Sequence, residues 1–157
     1  MSLKLAEITS VEEELVCWGN GALGQCGHGN RTDNEAKDGF LGAFVSKKLG
    51  RVKFFSCGST HSVVVTAENK IFAWGNGNSG QLGNGERGMK CDPTEVCLSP
   101  SINNDTTGKE IIGLACGGRH TFIWTRGGQV YSFGNNFYSQ LGYDFMEENF
   151  KEHQFFI

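Results

Sequence analysis

The sequence predicts an all-β fold built from β-propeller blades, and a repeated motif is the main evidence. Three copies occur, as Trp18-Gly-Asn-Gly-Ala-Leu-Gly-Gln-Cys-Gly27, Trp74-Gly-Asn-Gly-Asn-Ser-Gly-Gln-Leu-Gly83 and Phe133-Gly-Asn-Asn-Phe-Tyr-Ser-Gln-Leu-Gly142. Short β-branched segments lie between the copies, and helical periodicity is convincing in none of them. Short strands that carry a fixed glycine and aromatic motif in every unit are typical of propeller blades rather than of helical solenoids.

Each unit is predicted to hold three strands before its motif. The pattern of a β-branched run, a polar turn of hairpin length and a second apolar run predicts a strand–turn–strand hairpin. These strands are 52–56, 62–66 and 71–74 in one unit and 111–115, 121–125 and 130–133 in the next. Leu15–Trp18 is predicted as the last strand of a unit whose earlier part is not in the sequence.

The segments between the units are predicted to be loops that bind a partner. Residues 30–49 and 86–110 connect the units, and long loops on a regular scaffold commonly carry function. The tail at 143–157 departs from the repeat and is expected to form a short helix or a closing strand.

Composition excludes several classes of protein. The chain has 157 residues with 23 glycines, and its net charge of −3 with scattered Lys and Arg argues against nucleic-acid binding. The six cysteines form no CxxC pair, and no secretory apolar stretch lies at the N-terminus. We therefore expect reduced thiols and an intracellular protein, cytoplasmic or nuclear, that does not contact a membrane.

Two segments resemble the repeat signature of the regulator of chromosome condensation family. They are Trp74-Gly-Asn-Gly-Asn-Ser-Gly-Gln-Leu-Gly-Asn-Gly85 and Ala115-Cys-Gly-Gly-Arg-His-Thr121. The resemblance implies four-stranded antiparallel blades, usually seven in a closed disc, in proteins that act as exchange factors for small GTPases, chromatin binders or interaction modules. It covers 14–142, with 1–13 as an N-terminal extension and 143–157 as a C-terminal tail.

About two and a half repeats cannot close a propeller. We therefore expect open blade edges, which natural proteins normally cover. Three explanations stay open: a fragment of a longer protein, completion by further copies of the chain, or a partner protein on the edge. The fragment is slightly favoured, since the third copy stops just after its motif.

The residues that recur between copies are predicted to be structural. Glycines would allow positive φ and close approach of blades, aromatic residues would fill blade cores, histidines would bond neighbouring backbone, and glutamine amides would bridge blade loops. Cys57 and Cys116 are predicted to be small buried apolar residues. The full set is Trp18, Gly19, Gly24, Gln25, Cys57, Gly58, His61, Trp74, Gly75, Gly80, Gln81, Gly83, Cys116, Gly117, His120, Phe133, Gly134, Gln140 and Gly142.

Neither a cofactor nor a catalytic residue is expected. Residues 19–24 and 75–80 fit G-x-G-x-x-G, but the residues that follow cannot open a helix to hold a pyrophosphate, which favours a structural turn. His61 and His120 adjoin hydroxyl residues, yet a catalytic base occurs once in a site, whereas these recur. The sequence also predicts no metal site.

The sequence thus predicts a non-enzymatic interaction module or scaffold subunit that binds a protein partner through its loops and open blade edge. The alternative is a guanine-nucleotide exchange factor, or part of one, for a Ran-like small GTPase. The partner would be a small GTPase or a larger assembly, and self-association is a further option. Three residues without equivalents in the other copies are candidates for partner contacts, namely Arg119, Trp124 and Arg126. For Trp124 plain core packing is the alternative, and for the two arginines a solvated face.

Overall fold

The computed structural model describes residues 15–33, 43–45, 49–98, 108–143 and 155–156, and the regular elements in these ranges are β-strands. This confirms the all-β fold class. The strands are β1 Val16–Cys17, β2 Ala43–Phe44, β3 Val52–Cys57, β4 His61–Thr66, β5 Ile71–Gly75, β6 Lys90–Val96, β7 Ile111–Cys116, β8 His120–Thr125, β9 Val130–Gly134 and β10 Phe155–Phe156.

The strands form three antiparallel sheets that correspond to propeller blades. The second blade has the strand order β3-β4-β5-β6, and the third has β7-β8-β9-β10 when counted in chain order. Among the described residues, the first blade is represented by β1 and β2, paired antiparallel. The sheets do not close on one another, which confirms the expectation of a partial propeller with open edges.

Two strand assignments made from the sequence were wrong. Residues 86–110 were predicted as a loop, but they contain the seven-residue strand β6. Leu15–Trp18 was predicted as the last strand of its unit, but β1 pairs with a later strand, β2, which itself lies within the predicted loop 30–49. A polar strand with a proline fits at β6 because this strand lies at the edge of its sheet, where one side of its backbone needs no partner.

The central strands of the second blade are buried on both faces. Val63 and Val65 of β4 belong to the apolar core shared with the third blade. Val64, between them, belongs to the core on the opposite face with Phe72 and Trp74. Successive side chains of a strand point to opposite faces, so a continuous apolar run is required where both faces are covered.

The end of the tail pairs with the third blade. Phe155–Phe156 aligns antiparallel with Ser132 and Tyr131 of β9. Of the two alternatives for the tail, the closing strand is therefore observed at 155–156, whereas 144–154 lies outside the described residues.

One prediction concerns Ser139 in the third copy of the motif. Its φ is 54°, while its equivalents Gly24 and Gly80 have φ of 75° and 78°. A left-handed conformation costs a non-glycine residue about 1–2 kcal/mol, and the greater unfolded-state freedom of glycine offsets part of that. We therefore expect Ser139→Gly to raise the free energy of unfolding by about 0.5–1 kcal/mol in urea denaturation.

Ser79 is the matched control for that variant. It lies beside the positive-φ glycine Gly80 and does not itself have a positive φ. Ser79→Gly should therefore lower stability. Equal effects of the two variants would contradict the assignment of strain to Ser139.

Candidate interaction surface

In the first and third copies of the motif, an asparagine and a glutamine hold a compact loop. In the first copy, the Asn20 Oδ1 accepts from the Ala22 amide at 3.1 Å and from the Gln25 side-chain amide at 3.0 Å. The Gln25 Oε1 accepts from the Leu23 amide at 2.9 Å. In the third copy, Gln140 Nε2 donates to Asn135 Oδ1 at 2.8 Å in the same way. The fixed spacing of the two residues therefore closes the loop on itself.

The prediction that glutamine amides bridge neighbouring blades was wrong. The side chains of Gln25, Gln81 and Gln140 accept from backbone amides of their own loops. The bridge is made by the glutamine backbone carbonyl, which accepts from Thr121 Oγ1 at 2.9 Å in the case of Gln81. The Gln81 side chain accepts from the Ser79 amide at 2.9 Å and so holds the loop that carries this carbonyl, which means that the recurring amide acts on the neighbouring blade only indirectly.

An aromatic residue of each complete blade packs against the motif loop of the blade before it. Trp74 Nε1 donates to the Gln25 carbonyl at 2.9 Å, and its ring lies against Gly27. Phe133 lies against Gly83 in the equivalent way. Trp74 and Phe133 are buried, with 1% and 5% exposure. These aromatic residues therefore join blades as well as filling them.

Trp18 has no such joint in the described part of the chain. It is 58% exposed, although it occupies the same repeat position as Trp74. The prediction that it is a core aromatic was therefore wrong, because burial at this position depends on the motif loop of a preceding blade.

A second joint runs through His61, a buried residue of β4. Its Nε2 lies 2.9 Å from Thr121 Oγ1 in the third blade, and that hydroxyl donates to the Gln81 carbonyl. Since the hydroxyl proton is committed to the carbonyl, His61 Nε2 must be the donor. Burial, followed by the charge of His120, lowers the pKa of His61 from 6.5 to about 4. His61 is thus a neutral structural donor to a threonine hydroxyl, so the prediction that it bonds neighbouring backbone was wrong, and the equivalent His120 is half-buried.

Further contacts fix the hairpin β3–β4 to the third blade. The Cys116 amide donates to Ser56 Oγ at 2.9 Å. Asn69, in the turn after β4, donates to the Lys109 carbonyl and accepts from the Ile111 amide at 2.7 Å. Lys53 Nζ forms an ion pair with Glu110 at 2.7 Å. The hairpin β3–β4 is therefore bound to the third blade by these hydrogen bonds and this ion pair.

The equivalent edge of the second blade opens into a groove, which we call the edge groove. It has a volume of about 210 Å³ and is mostly apolar, and it lies between β1 on one side and β3 and β4 on the other. Trp18 and Cys17 line the first side, and Phe55, Cys57 and Ser62 line the second. Phe55 is 69% exposed, whereas its repeat equivalent Leu114 packs against the core between the second and third blades.

Cys57 also differs from its equivalent. It is exposed, contrary to the prediction that it is buried, because it lies at this groove. Cys116 is half-buried, and its Sγ is 3.6 Å from the Ser56 carbonyl. Burial raises the pKa of the Cys116 thiol.

The recurring glycines lie at turns and close contacts. Gly19, Gly75 and Gly134 have φ of 105°, 99° and 119°, and Gly142 has 87°. A side chain at Gly58 or Gly117 would meet the ring of the histidine three residues later. The glycines therefore set the turns and the space on which the joints depend.

The three residues predicted to contact a partner do not form one site. Arg126 lies at the end of β8 and pairs with Glu110, its Nε 2.7 Å from Oε2, while Arg119 is exposed before the start of β8. Hydrogen bonds from Arg126, the larger influence, and from Lys53 lower the pKa of Glu110 to about 2. Trp124 is 37% exposed and lies over Gly113, its cross-strand partner. Trp124 is therefore largely packed on its own sheet.

Two exposed aromatic residues were missed by the sequence analysis. Phe137 and Tyr138 are 77% and 83% exposed at the tip of the third motif loop, with ring centroids 4.8 Å apart. The corresponding positions hold Ala22 and Leu23 in the first copy. This change to large aromatic residues was the available signal.

In the described ranges of the chain, no group of three or more His, Cys, Asp or Glu side chains could hold a metal ion. Over the same ranges, no helix has the length and apolar character needed to span a membrane.

The fold and the contacts between blades define a class of protein, the β-propellers built from sequence repeats. Comparison with known proteins identifies the family. One family model, described as "Regulator of chromosome condensation (RCC1) repeat", matches residues 68–124. A second model with the same description matches residues 52–81 and 111–140. Together these matches span more than half of the chain. The protein belongs to the RCC1-repeat family, as the resemblance predicted.

Several curated proteins are similar to the chain. It is 36% identical over 132 residues to the human E3 ubiquitin-protein ligase HERC2, 41% over 96 residues to the canine X-linked retinitis pigmentosa GTPase regulator, and 34% over 130 residues to the Arabidopsis ultraviolet-B receptor UVR8. These alignments cover 82%, 60% and 82% of the chain. They cover only 3%, 9% and 27% of the relatives, so the similarity is to their repeat regions.

Two solved structures support the fold. Human WBSCR16 superposes with a TM-score of 0.67 at 23% identity, covering 89% of this chain and 33% of that one. Yeast RCC1 (Prp20), in a crystal structure with Kap60, gives 0.57 at 17% identity, covering 85% and 35%.

Proposed function

We propose that the protein is a non-enzymatic interaction module that binds a protein partner through its open blade edge. The observation that carries the proposal is the exposure of two large aromatic residues, Trp18 and Phe55, beside an apolar groove. Large aromatic residues are enriched where protein partners bind, since they bury much apolar area at low entropic cost. Their equivalents, Trp74 and Leu114, pack against neighbouring blades.

The proposal is in keeping with the family, whose relatives include proteins named as a receptor, a GTPase regulator and a ligase. Those names describe much longer chains, of which this one matches a small part. Nucleotide exchange on a small GTPase stays a prediction from family resemblance.

Affinity capture with the full chain as bait tests the proposal. We expect a partner whose recovery falls about tenfold or more with Phe55→Glu, because a charge in the centre of an apolar interface leaves it desolvated and unpaired. Deletion of 86–110 is a poor test, since it would remove β6 and break the second blade.

Phe137→Glu is the matched control for the capture experiment. Phe137 and Phe55 are both highly exposed phenylalanines, so neither variant should unfold the chain. Loss of the partner with Phe137→Glu alone would move the binding surface to the third motif loop. If no partner depended on either residue or on the loops, the proposed function would be wrong.

A further inference from the structure

The third motif loop is held by bonds that do not depend on the aromatic rings at its tip. The Phe137 amide donates to Asn135 Oδ1 at 2.9 Å, and the Tyr138 amide donates to Gln140 Oε1 at 2.7 Å. The second copy makes the same two bonds with a small polar tip, the Asn-Ser pair at 78–79, at 3.0 Å and 2.9 Å. The two large rings are therefore not required to form the loop.

The loop also holds the two rings in place on its surface. Most of each side chain is exposed, and Phe137 and Tyr138 meet edge to face. Beneath them, Asn136 Oδ1 accepts from the amide of the buried Leu141 at 2.9 Å, and Asn136 Nδ2 donates to the Tyr143 carbonyl at 3.1 Å. Aromatic residues on such a preorganised loop bury much apolar area when a partner binds and lose little conformational freedom.

An exposed arginine adjoins the base of this loop. Arg119 lies in the turn between β7 and β8, and its carbonyl accepts from the Asn135 amide at 2.8 Å. Residues 117–119 and 134–143 make up this end of the third blade, and Arg119 is their one charged side chain. It forms no ion pair with any of the described residues. Because the second copy has Thr60 here, the third blade differs from the second by a cation as well as by an aromatic pair at the same end.

A ligand for this end of the blade must match both the rings and the charge. A large apolar side chain suits exposed aromatic residues, and a carboxylate suits a guanidinium, which it can bind through two hydrogen bonds. A basic ligand would meet Arg119 with like charge, and an uncharged proline-rich one would leave it unpaired. Two copies of the chain meeting at this end would bring two arginines together without a carboxylate from either 117–119 or 134–143.

We propose that Phe137, Tyr138 and Arg119 form a docking surface for a short acidic segment of a protein partner. A large apolar side chain of that segment packs on the two rings, and a neighbouring carboxylate pairs with Arg119. The surface goes beyond the proposed function, because it shares no residue with the edge groove.

Selection from a random peptide library displayed on phage tests the chemistry of the ligand. The bait is the full chain under reducing conditions, after depletion of the library on the double variant Phe137→Asn with Tyr138→Ser. This variant has the tip of the second copy, so its loop should keep the same backbone bonds. We expect enriched peptides to carry Asp or Glu next to a large apolar residue. Enrichment of basic or proline-rich peptides, or of none that distinguishes the two chains, would overturn the proposal.

Fluorescence anisotropy with a labelled peptide from that selection locates the binding. The double variant should bind it about tenfold more weakly or worse, since both apolar anchors are lost. Arg119→Ser should weaken binding about fivefold, with a smaller loss at high ionic strength, as expected for an exposed ion pair.

Arg126→Ser is the matched control for the charge. Arg126 is also an exposed arginine, but it lies at the other end of β8 and pairs with Glu110. Its loss should change peptide binding by no more than about twofold, because exposed ion pairs contribute little to stability. Equal losses for the two arginine variants, or a loss for Arg119→Ser that does not respond to salt, would overturn the pairing of a carboxylate with Arg119.

Competition separates this surface from the edge groove. A partner captured through Phe55 should stay bound in the presence of excess peptide, whereas its displacement would place the peptide in the groove and overturn the third motif loop as its site. Peptide binding that depends on the loop, in the absence of any Phe55-dependent partner, would support this surface and count against the proposed function.

Discussion

Gly83→Ala should lower the free energy of unfolding by about 2–5 kcal/mol, the sum of backbone strain and overpacking. Gly83 has a φ of 65°, in the left-handed region. A Cβ at this position would lie 2.6 Å from the nearest ring atom of Phe133. Phe133 is 5% exposed and belongs to the core between the second and third blades, so the ring has little room to move. Equilibrium denaturation in urea measures the loss.

Gly80→Ala separates the two contributions to that loss. Gly80 has a φ of 78°, but no atom of the described residues lies within 4 Å of the position that a Cβ would take. This control should lose only the cost of a left-handed alanine, about 1–2 kcal/mol. A double variant, Gly83→Ala with Phe133→Leu, should lose less than the sum of its single variants, since each relieves the contact of the other. Equal losses for Gly83→Ala and Gly80→Ala would contradict the tight joint.

The hairpins of the repeat could be predicted from sequence because their signal is local. Each central strand is a continuous apolar run beside a polar turn, and the second unit confirms the first by repetition. β6 gives no such signal, since it contains Asp92, Pro93 and Glu95 and pairs through its backbone at the edge of the sheet. Its backbone partners are invisible in the pattern of side chains.

The joints between blades show a second limit of sequence reasoning. Repetition of Gln81 indicates that the residue matters, but not whether its side chain or its carbonyl makes the contact. Trp18 and Trp74 are the same residue in the same motif, yet they are 58% and 1% exposed. Burial here depends on a neighbouring blade distant in sequence, which a local pattern cannot show. The candidate surface is therefore visible only from the structure, where residues at equivalent repeat positions differ in their exposure.

Acid should destabilise the protein through His61, and the sign follows from its lowered pKa. The value is about 4 in the folded chain and 6.5 for an ordinary histidine. Between these values the unfolded chain binds the proton more readily, so stability falls as the pH drops from about 6.5 to about 4. The shift corresponds to roughly 3 kcal/mol for this one group. The cause is structural, since Nδ1 is buried without a hydrogen-bond partner among the described residues and the ring lies against Gly58.

His61→Gln isolates this contribution from the carboxylates that also titrate in acid. Glutamine retains an amide donor for the Thr121 hydroxyl but does not titrate. Near pH 7 the variant should be less stable than the parent, because the amide fits the joint less well than the ring. The stability of the parent relative to the variant should then fall by roughly 3 kcal/mol between pH 7 and pH 4, measured by urea denaturation at each pH. Because the two chains share every other titrating group, a difference that stayed constant over this range would show that His61 takes up its proton equally well in the folded and unfolded chains, and the joint between the second and third blades would then not depend on a neutral histidine.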